Sequence, residues 1–307
     1  LLGYRSPAID LGGVIVALRC LERDVEGLGK HLRDVGRVAD HEAVLHDGAG
    51  NAHHVGFLEA IGADYLAVAF PSEGILLREA GIKLPILVFQ SQALHFESLI
   101  ENCLEPSLYS EKQFSEFSRV AEARGLKDYP VHVKFNTGLN RLGFSREETG
   151  KVLELLQQTD AVRAASFFSH LAASQDWRER EFTLEQIYSF KNTAVELYDK
   201  LDYEPLLHIC NTSGIINYPE AAFHMVRMGI GLYGYGNDPE TDKKLKPVAS
   251  LKTVISQIHQ LKEGDSVGYD RAFKADRPMR SATLPIGYGD GLGRNFGNQR
   301  AGVFIGD

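Results

Sequence analysis

The sequence predicts an α/β protein: a (β/α)8 barrel of the TIM type followed by part of an antiparallel β domain. Three observations lead there. From Asp64 to Gly234, short apolar runs rich in β-branched and aromatic residues alternate with helix-like stretches, the mark of βα units on a parallel sheet. Seven such runs can be counted, so one more upstream completes a barrel of about 250 residues. After LKPVASL the helical texture stops, and short β-rich segments follow, joined by glycines and charged turns. An open doubly wound sheet is the competing layout, but it has fewer strands and an early glycine-rich turn that this chain lacks.

In chain order, the strands are expected at 64–70, 84–89, 105–110 (the weakest), 131–136, 162–170, 205–210 and 224–234. Their hydrophobicity is continuous rather than alternating, as in strands covered on both faces. Helices are expected at SEGILLREAG, FSEFSRVAEARG, TGKVLELLQQ and EFTLEQIYSFKNTAVELYDKL. The antiparallel part is expected in ASLKTVISQIHQL, GDSVGYD, RSATLPIGYG and AGVFIG, about four strands. This divides the chain into a barrel over 1–240 and a β domain over 241–307. A sheet ending at Asp307 would leave an unpaired edge, so more chain is expected to follow.

The first 57 residues fit the pattern least. They hold five of the eleven histidines and a single lysine, Lys30. GGVIVALRCL reads as a strand or a helix turn, and GRVADHEAVLHDGAGNAHHVG has no clean period. Asp40, His41, Glu42, His46, Asp47, His53 and His54 are metal-ligand types, but their spacing matches no standard zinc pattern. A solvated segment is the plainer reading, and no metal is expected.

Composition excludes several classes. A net charge of -8 over 307 residues, without any Lys/Arg-rich block, argues against nucleic acid as a partner. No run of eighteen apolar residues exists to cross a membrane. Three scattered cysteines, Cys20, Cys103 and Cys210, suit a reducing cytoplasm better than a disulfide framework.

In a barrel of this type, reactive groups sit at the C-terminal ends of strands. Those positions hold Lys134, Asn136 and Arg141, then His170. The next two strands add His208, Asn211, Thr212 and Ser213, then Arg227, Gly229 and Ile230. Polar groups from successive strands thus face one mouth, a pattern that fits a cofactor without naming it.

VHVKFNTGLNRLGF, SHLAAS, HICNTSGI, MVRMGIGLYG, LKPVASLKTVISQIHQLKEGDSVGYDRAF and LPIGYGDGLGR together resemble the alanine racemase family, in order and at sensible spacings. With GADYLAVAFPSEGILLREAGIKLPILVF added, the resemblance covers roughly residues 57 to 307. It implies a cytoplasmic, pyridoxal-phosphate (PLP) dependent homodimer with shared active sites, interconverting L- and D-alanine for cell-wall precursors. A racemase for serine or a broader set of amino acids is the nearest enzymatic alternative.

The resemblance also implies roles. Arg227 corresponds to the arginine facing the pyridine nitrogen of PLP, where a permanent cation keeps that nitrogen a poor base. Thr212, Gly229 and Ile230 correspond to the phosphate cradle, His170 to the histidine on the ring face, and His208 and Asn211 to supporting groups. Arg141 corresponds to the arginine near the phenolic oxygen and the substrate carboxylate, and Lys134 to a lysine carbamylated in some relatives. Tyr269 corresponds to the catalytic tyrosine reaching the partner's site, and Tyr288 to a residue lining substrate access. Each has a plainer alternative: a salt bridge for Arg227, an ion pair for Lys134, a packed core histidine for His170, a packed strand tyrosine for Tyr269.

One departure is large. The family's Schiff-base lysine, in a motif like KANAYGHG, should fall near Ala43, and the tyrosine that follows it near Asp47; here the segment reads EAVLHDGAGNA. Gly48 and Gly50 fit the motif's glycines, but Lys30 is thirteen residues away. Without that lysine the cofactor has no covalent anchor and one face has no base, so the chain is expected to lack useful racemase activity. A PLP-binding pseudoenzyme is the alternative this raises.

Overall fold

The computed structural model describes residues 15–19, 56, 58, 62–236, 238–243, 245–247, 251–297 and 300–305. The position near Ala43 and the histidine-rich segment lie outside these residues. The chain divides into a larger compact unit, Leu11–Ala249, and a smaller one built on Ser250–Asp307.

The larger unit alternates strands and helices. Its strands are β1 (Ile15–Arg19), β2 (Tyr65–Val68), β3 (Ile86–Val88), β4 (Glu105–Leu108), β5 (Tyr129–Lys134), β6 (Val162–Phe168), β7 (Leu206–His208) and β8 (Met225–Met228). Between them run α1 (Pro71–Glu79), α2 (Phe96–Glu101), α3 (Glu111–Ala123), α4 (Thr149–Gln157), α5 (Arg180–Tyr198) and α6 (Thr212–Asn217). Each of the seven runs expected as strands overlaps one; six strands are shorter than their run, and β5 starts two residues before its own, at Tyr129. The short helices α2 and α6 escaped the sequence reading, since six residues are too few to show a period.

The strands form one eight-stranded sheet in the order β7-β6-β5-β4-β3-β2-β1-β8. Pairing is parallel from β2 through β7, giving a curled parallel sheet flanked by helices. The upstream strand differs from expectation. β1 runs antiparallel to both neighbours, with Ala17 opposite Tyr65 on one side and Arg227 on the other. A short apolar strand presents N–H and C=O groups along both edges in either direction, so it can close the edges of β2 and β8 while reversed.

Local chemistry fixes the helices. Pro71 occupies the first turn of α1, where no N–H is needed, and the Glu73 carboxylate accepts from Phe70 N–H at 2.8 Å. Ser110 caps α3 by accepting from Gln113 N–H at 3.3 Å. Arg78, near the end of α1, donates to the carbonyls of Ile82, Leu84, Asn102 and Cys103 at 2.7–3.1 Å. The core of the unit gathers Leu66, Val88, Leu99, Phe117, Val131 and Phe167, all essentially without exposure.

β5 and β6 contain one irregularity that matters for the site. Val131 pairs with Ala164, but His132 pairs with Ser166. Ala165 is therefore the extra residue of a bulge, and the slip sets His132 abreast of Ser166.

In the smaller unit, β9 (Gln257–Leu261) pairs antiparallel with β12 (Met279–Thr283), and β10 (Ser266–Val267) with β11 (Phe273–Lys274). AGVFIG was expected to be a strand. Instead residues 301–305 form none, and Val303, Phe304 and Ile305 are exposed. A strand exists through its ladder, and no described segment pairs with this one.

Candidate functional site

The candidate site lies at the C-terminal ends of the parallel strands. Arg227, on β8, is its centre: a guanidinium 2% exposed. It donates to His208 Nδ1, to the Ser169 carbonyl at 2.7 Å, to His170 Nδ1 at 3.2 Å and to the Ile209 carbonyl at 3.4 Å. No carboxylate pairs with it among the described residues. Burial pulls its pKa down to about 10, still well inside the charged range at neutral pH.

The two histidines beside it are held neutral. His170 is pushed down to about 3, first by burial and then by Arg227, Lys134 and Arg141. His208 is fully buried and lies well below the ordinary imidazole range, again through burial first and Arg227 second. His208 stacks face to face on Phe168, with ring centroids 4.9 Å apart and planes 2° from parallel. The same Phe168 ring has Lys134 Nζ 5.4 Å from its centroid and Arg227 Cζ also 5.4 Å away.

Lys134 closes β5 and is 6% exposed. Burial first, then Arg227 and Arg141, lower its pKa to about 8. It forms no ion pair among the described residues. Arg141 is exposed on the loop after β5, where a left-handed Gly143 (φ 127) brings the chain back against Phe135 and Asn136.

Thr212 Oγ1 accepts from the N–H groups of both Gly229 and Gly231, each at 3.2 Å. The expected cradle of Thr212, Gly229 and Ile230 is thus gathered around Thr212, with Gly231 as a member the sequence reading missed. Ile230 has an exposed side chain. Asn211 caps α6: its Oδ1 accepts from Gly214 N–H at 2.9 Å and from Ser174 Oγ at 2.8 Å. That carbonyl oxygen is occupied by the loop itself.

Tyr269 and Tyr288 belong to the smaller unit. Tyr269 is 95% exposed, directly after a left-handed Gly268 (φ 83). It is therefore no packed strand tyrosine. Tyr288 is 68% exposed, and its hydroxyl accepts from Arg294 Nε at 3.1 Å.

Glu105, His132, Ser166 and Phe168 were not among the expected site residues. They sit in the apolar runs read as core; for Glu105, His132 and Ser166, polarity within a buried strand was the available signal. No cluster of three or more metal-ligating side chains occurs among the described residues. Nor, among them, is any helix long and apolar enough to cross a membrane.

Comparison with known proteins adds the lineage. Residues 30–237 match the family described as alanine racemase, N-terminal domain, and residues 248–307 match alanine racemase, C-terminal domain. The chain is 36% identical over 241 residues to an alanine racemase of Treponema denticola, covering 76% of this chain and 63% of that protein. It spans less than two thirds of that relative's length. Among solved structures it resembles an alanine racemase of Clostridium difficile, with a TM-score of 0.71 and 26% identity over 91% of this chain and 75% of that one. An alanine racemase of Bartonella henselae, solved with covalently bound pyridoxal phosphate, shares the fold at a TM-score of 0.70 and 21% identity, over 92% of this chain and 78% of that one.

Proposed function

Because the chain belongs to the alanine racemase family, a family of isomerases, we propose that it binds PLP at the barrel mouth with its ring nitrogen toward Arg227. The observation that carries this reading is the arginine itself. A buried guanidinium with neutral acceptors but no carboxylate partner among the described residues keeps an uncompensated charge that favours a further acceptor. The donor set fits the group in one further place. The Thr212 hydroxyl, held in place by the Gly229 and Gly231 N–H groups that donate to its oxygen, can donate its hydrogen to a phosphate, and a Cβ on Gly231 would lie 2.8 Å from Thr212 Cγ2.

When bound, PLP supplies an electron-withdrawing ring that acidifies the α-hydrogen of an amino acid. The rest of the work belongs to the protein. Arg227 donates and never accepts, so it holds a hydrogen bond to the ring nitrogen without giving up a proton. His170, uncharged at neutral pH, packs against the ring without repelling the arginine. Arg141 draws in the substrate carboxylate. Lys134, with its pKa near 8, keeps a neutral-amine fraction at physiological pH, as carbamylation by carbon dioxide requires.

The remaining assignments complete the proposal. Residues 1–240 form the PLP-binding domain and 241–307 the start of the β domain. Two copies associate in the cytoplasm, each offering the exposed Tyr269 as a base to the other's mouth, with Tyr288 lining substrate access. L-alanine is the proposed substrate, with serine or a broader amino acid set as the enzymatic alternative.

We also propose that racemisation by this polypeptide is lost, which is the pseudoenzyme reading. The residue near the family's anchoring position is Ala43, and alanine can neither attach the cofactor nor take a proton. The test is to add PLP, record the absorbance, reduce with borohydride and map adducts by mass. Reversible binding without a stable adduct supports the reading. A single lysine peptide carrying the adduct would refute the claim that no anchor remains, and no binding at all would refute the cofactor reading.

A further inference from the structure

Five consecutive strands, β4 to β8, each contribute one buried polar side chain to a single hydrogen-bonded line across the sheet. His132 Nε2 lies 2.7 Å from Glu105 Oε2, His132 Nδ1 lies 2.6 Å from Ser166 Oγ, and Ser166 Oγ lies 2.8 Å from His208 Nε2. His208 Nδ1 then meets Arg227 Nη1. Glu105 is 8% exposed, Arg227 2%, and the three between them have no exposure.

The direction of every bond follows from its ends. A guanidinium only donates, so His208 Nδ1 accepts, and the His208 proton sits on Nε2. That proton can go only to Ser166 Oγ. The serine hydroxyl hydrogen then points to His132 Nδ1, which leaves the His132 proton on Nε2, donated to the Glu105 carboxylate. Each link has one polarity, fixed by a cation at one end and an anion at the other. The β5–β6 bulge makes the middle possible, because it sets His132 opposite Ser166.

We propose that Glu105, His132 and Ser166 are positioning residues that aim Arg227 at its ligand, acting through His208. The proposal rests on the reading that Arg227 faces the ring nitrogen of PLP. The line locks the His208 ring in one tautomer and one orientation, and that ring presents the acceptor that fixes the guanidinium plane. It also links the buried arginine to a distant carboxylate, Glu105, which lies too far along the line to compete for its donors. Hydrogen bonds in such a line polarise one another, so a break in the middle should be felt at its far end.

Two measurements test this. The first uses the full-length chain without cofactor: nitrogen-15 NMR of the histidine side chains, with His132 and His208 assigned by substitution. The proton shared with the line is expected on Nε2 of both imidazoles. A proton on Nδ1 of either would overturn the line. The second compares Ser166→Thr with Ser166→Val, which have nearly the same volume and differ in the hydroxyl, alongside Glu105→Gln. With PLP labelled at its ring nitrogen, Ser166→Val and Glu105→Gln should move the pyridine nitrogen-15 signal and weaken PLP affinity on the order of tenfold, the scale typical of supporting-group losses. Ser166→Thr should stay near the parent. Equal signals and affinities across the set would overturn the positioning role. Failure of the parent chain to take up PLP would refute the cofactor reading alone, since the first measurement still judges the line.

Discussion

Gly231 and Thr212 meet so closely that a Cβ placed on the glycine would lie 2.8 Å from Thr212 Cγ2, while the glycine N–H donates to Thr212 Oγ1 at 3.2 Å. Gly231→Ala therefore has to push the threonine off its hydrogen bonds. PLP affinity is expected to fall at least several-fold, read from the dissociation constant by fluorescence titration. Thr212→Ser keeps the hydroxyl and removes the methyl in the way, so the double substitution should recover most of the loss. Strict additivity of the two single effects would count against this steric account.

Arg227→Lys keeps a charge but loses the planar fork that reaches His208, Ser169 and His170 together. The variant should bind PLP about tenfold or more weakly, by the same titration. Full retention of affinity would show that charge alone suffices at this position.

Lys134 gives the pH dependence. Its pKa is about 8 when folded against an ordinary 10.5. Between those values the unfolded chain holds a proton that the folded chain has released, so stability rises with pH across that window. Below about pH 8 both states are protonated, and the full burial penalty applies, roughly 3 kcal/mol at most by the linkage of shift to free energy. Lys134→Met should raise the urea midpoint at pH 7 and flatten the rise between pH 8 and 10.5. Identical slopes in parent and variant would remove the lysine from this role.

Arg78 joins the end of α1 to the loops before β3 and β4 through four carbonyls. Arg78→Leu leaves those acceptors without their charged donor. The expected cost is about 2–4 kcal/mol, given that such bonds are stronger than neutral ones and that part of the group is wet. Urea unfolding checks it, and a midpoint change near zero would mean that water replaces the arginine freely.

Much of the parallel sheet could be read from the sequence, because strands covered on both faces must be continuously apolar and four of the helices between them are long enough to show a period. The direction of β1 could not, since IVALR carries no mark of polarity along the chain. At the site, Lys134, His170 and Thr212 stood out as polar groups near or just past the ends of apolar runs, and Arg227 through the motif MVRMGIGLYG. Glu105, His132 and Ser166 were missed for the opposite reason. They lie inside those runs, and their meaning depends on which strands become neighbours and on a one-residue bulge. The AGVFIG segment failed as a strand because propensity alone supplies no partner.

His170 has a consequence beyond packing. Its proton affinity is depressed by three cationic neighbours as well as by burial, so the ring works as an electrometer for the mouth. Any anion that settles there, whatever its colour or reactivity, cancels part of that field and must drive the imidazole's titration upward. A silent phosphate or carboxylate ligand would thus announce itself in one histidine resonance, with no chromophore and no turnover required.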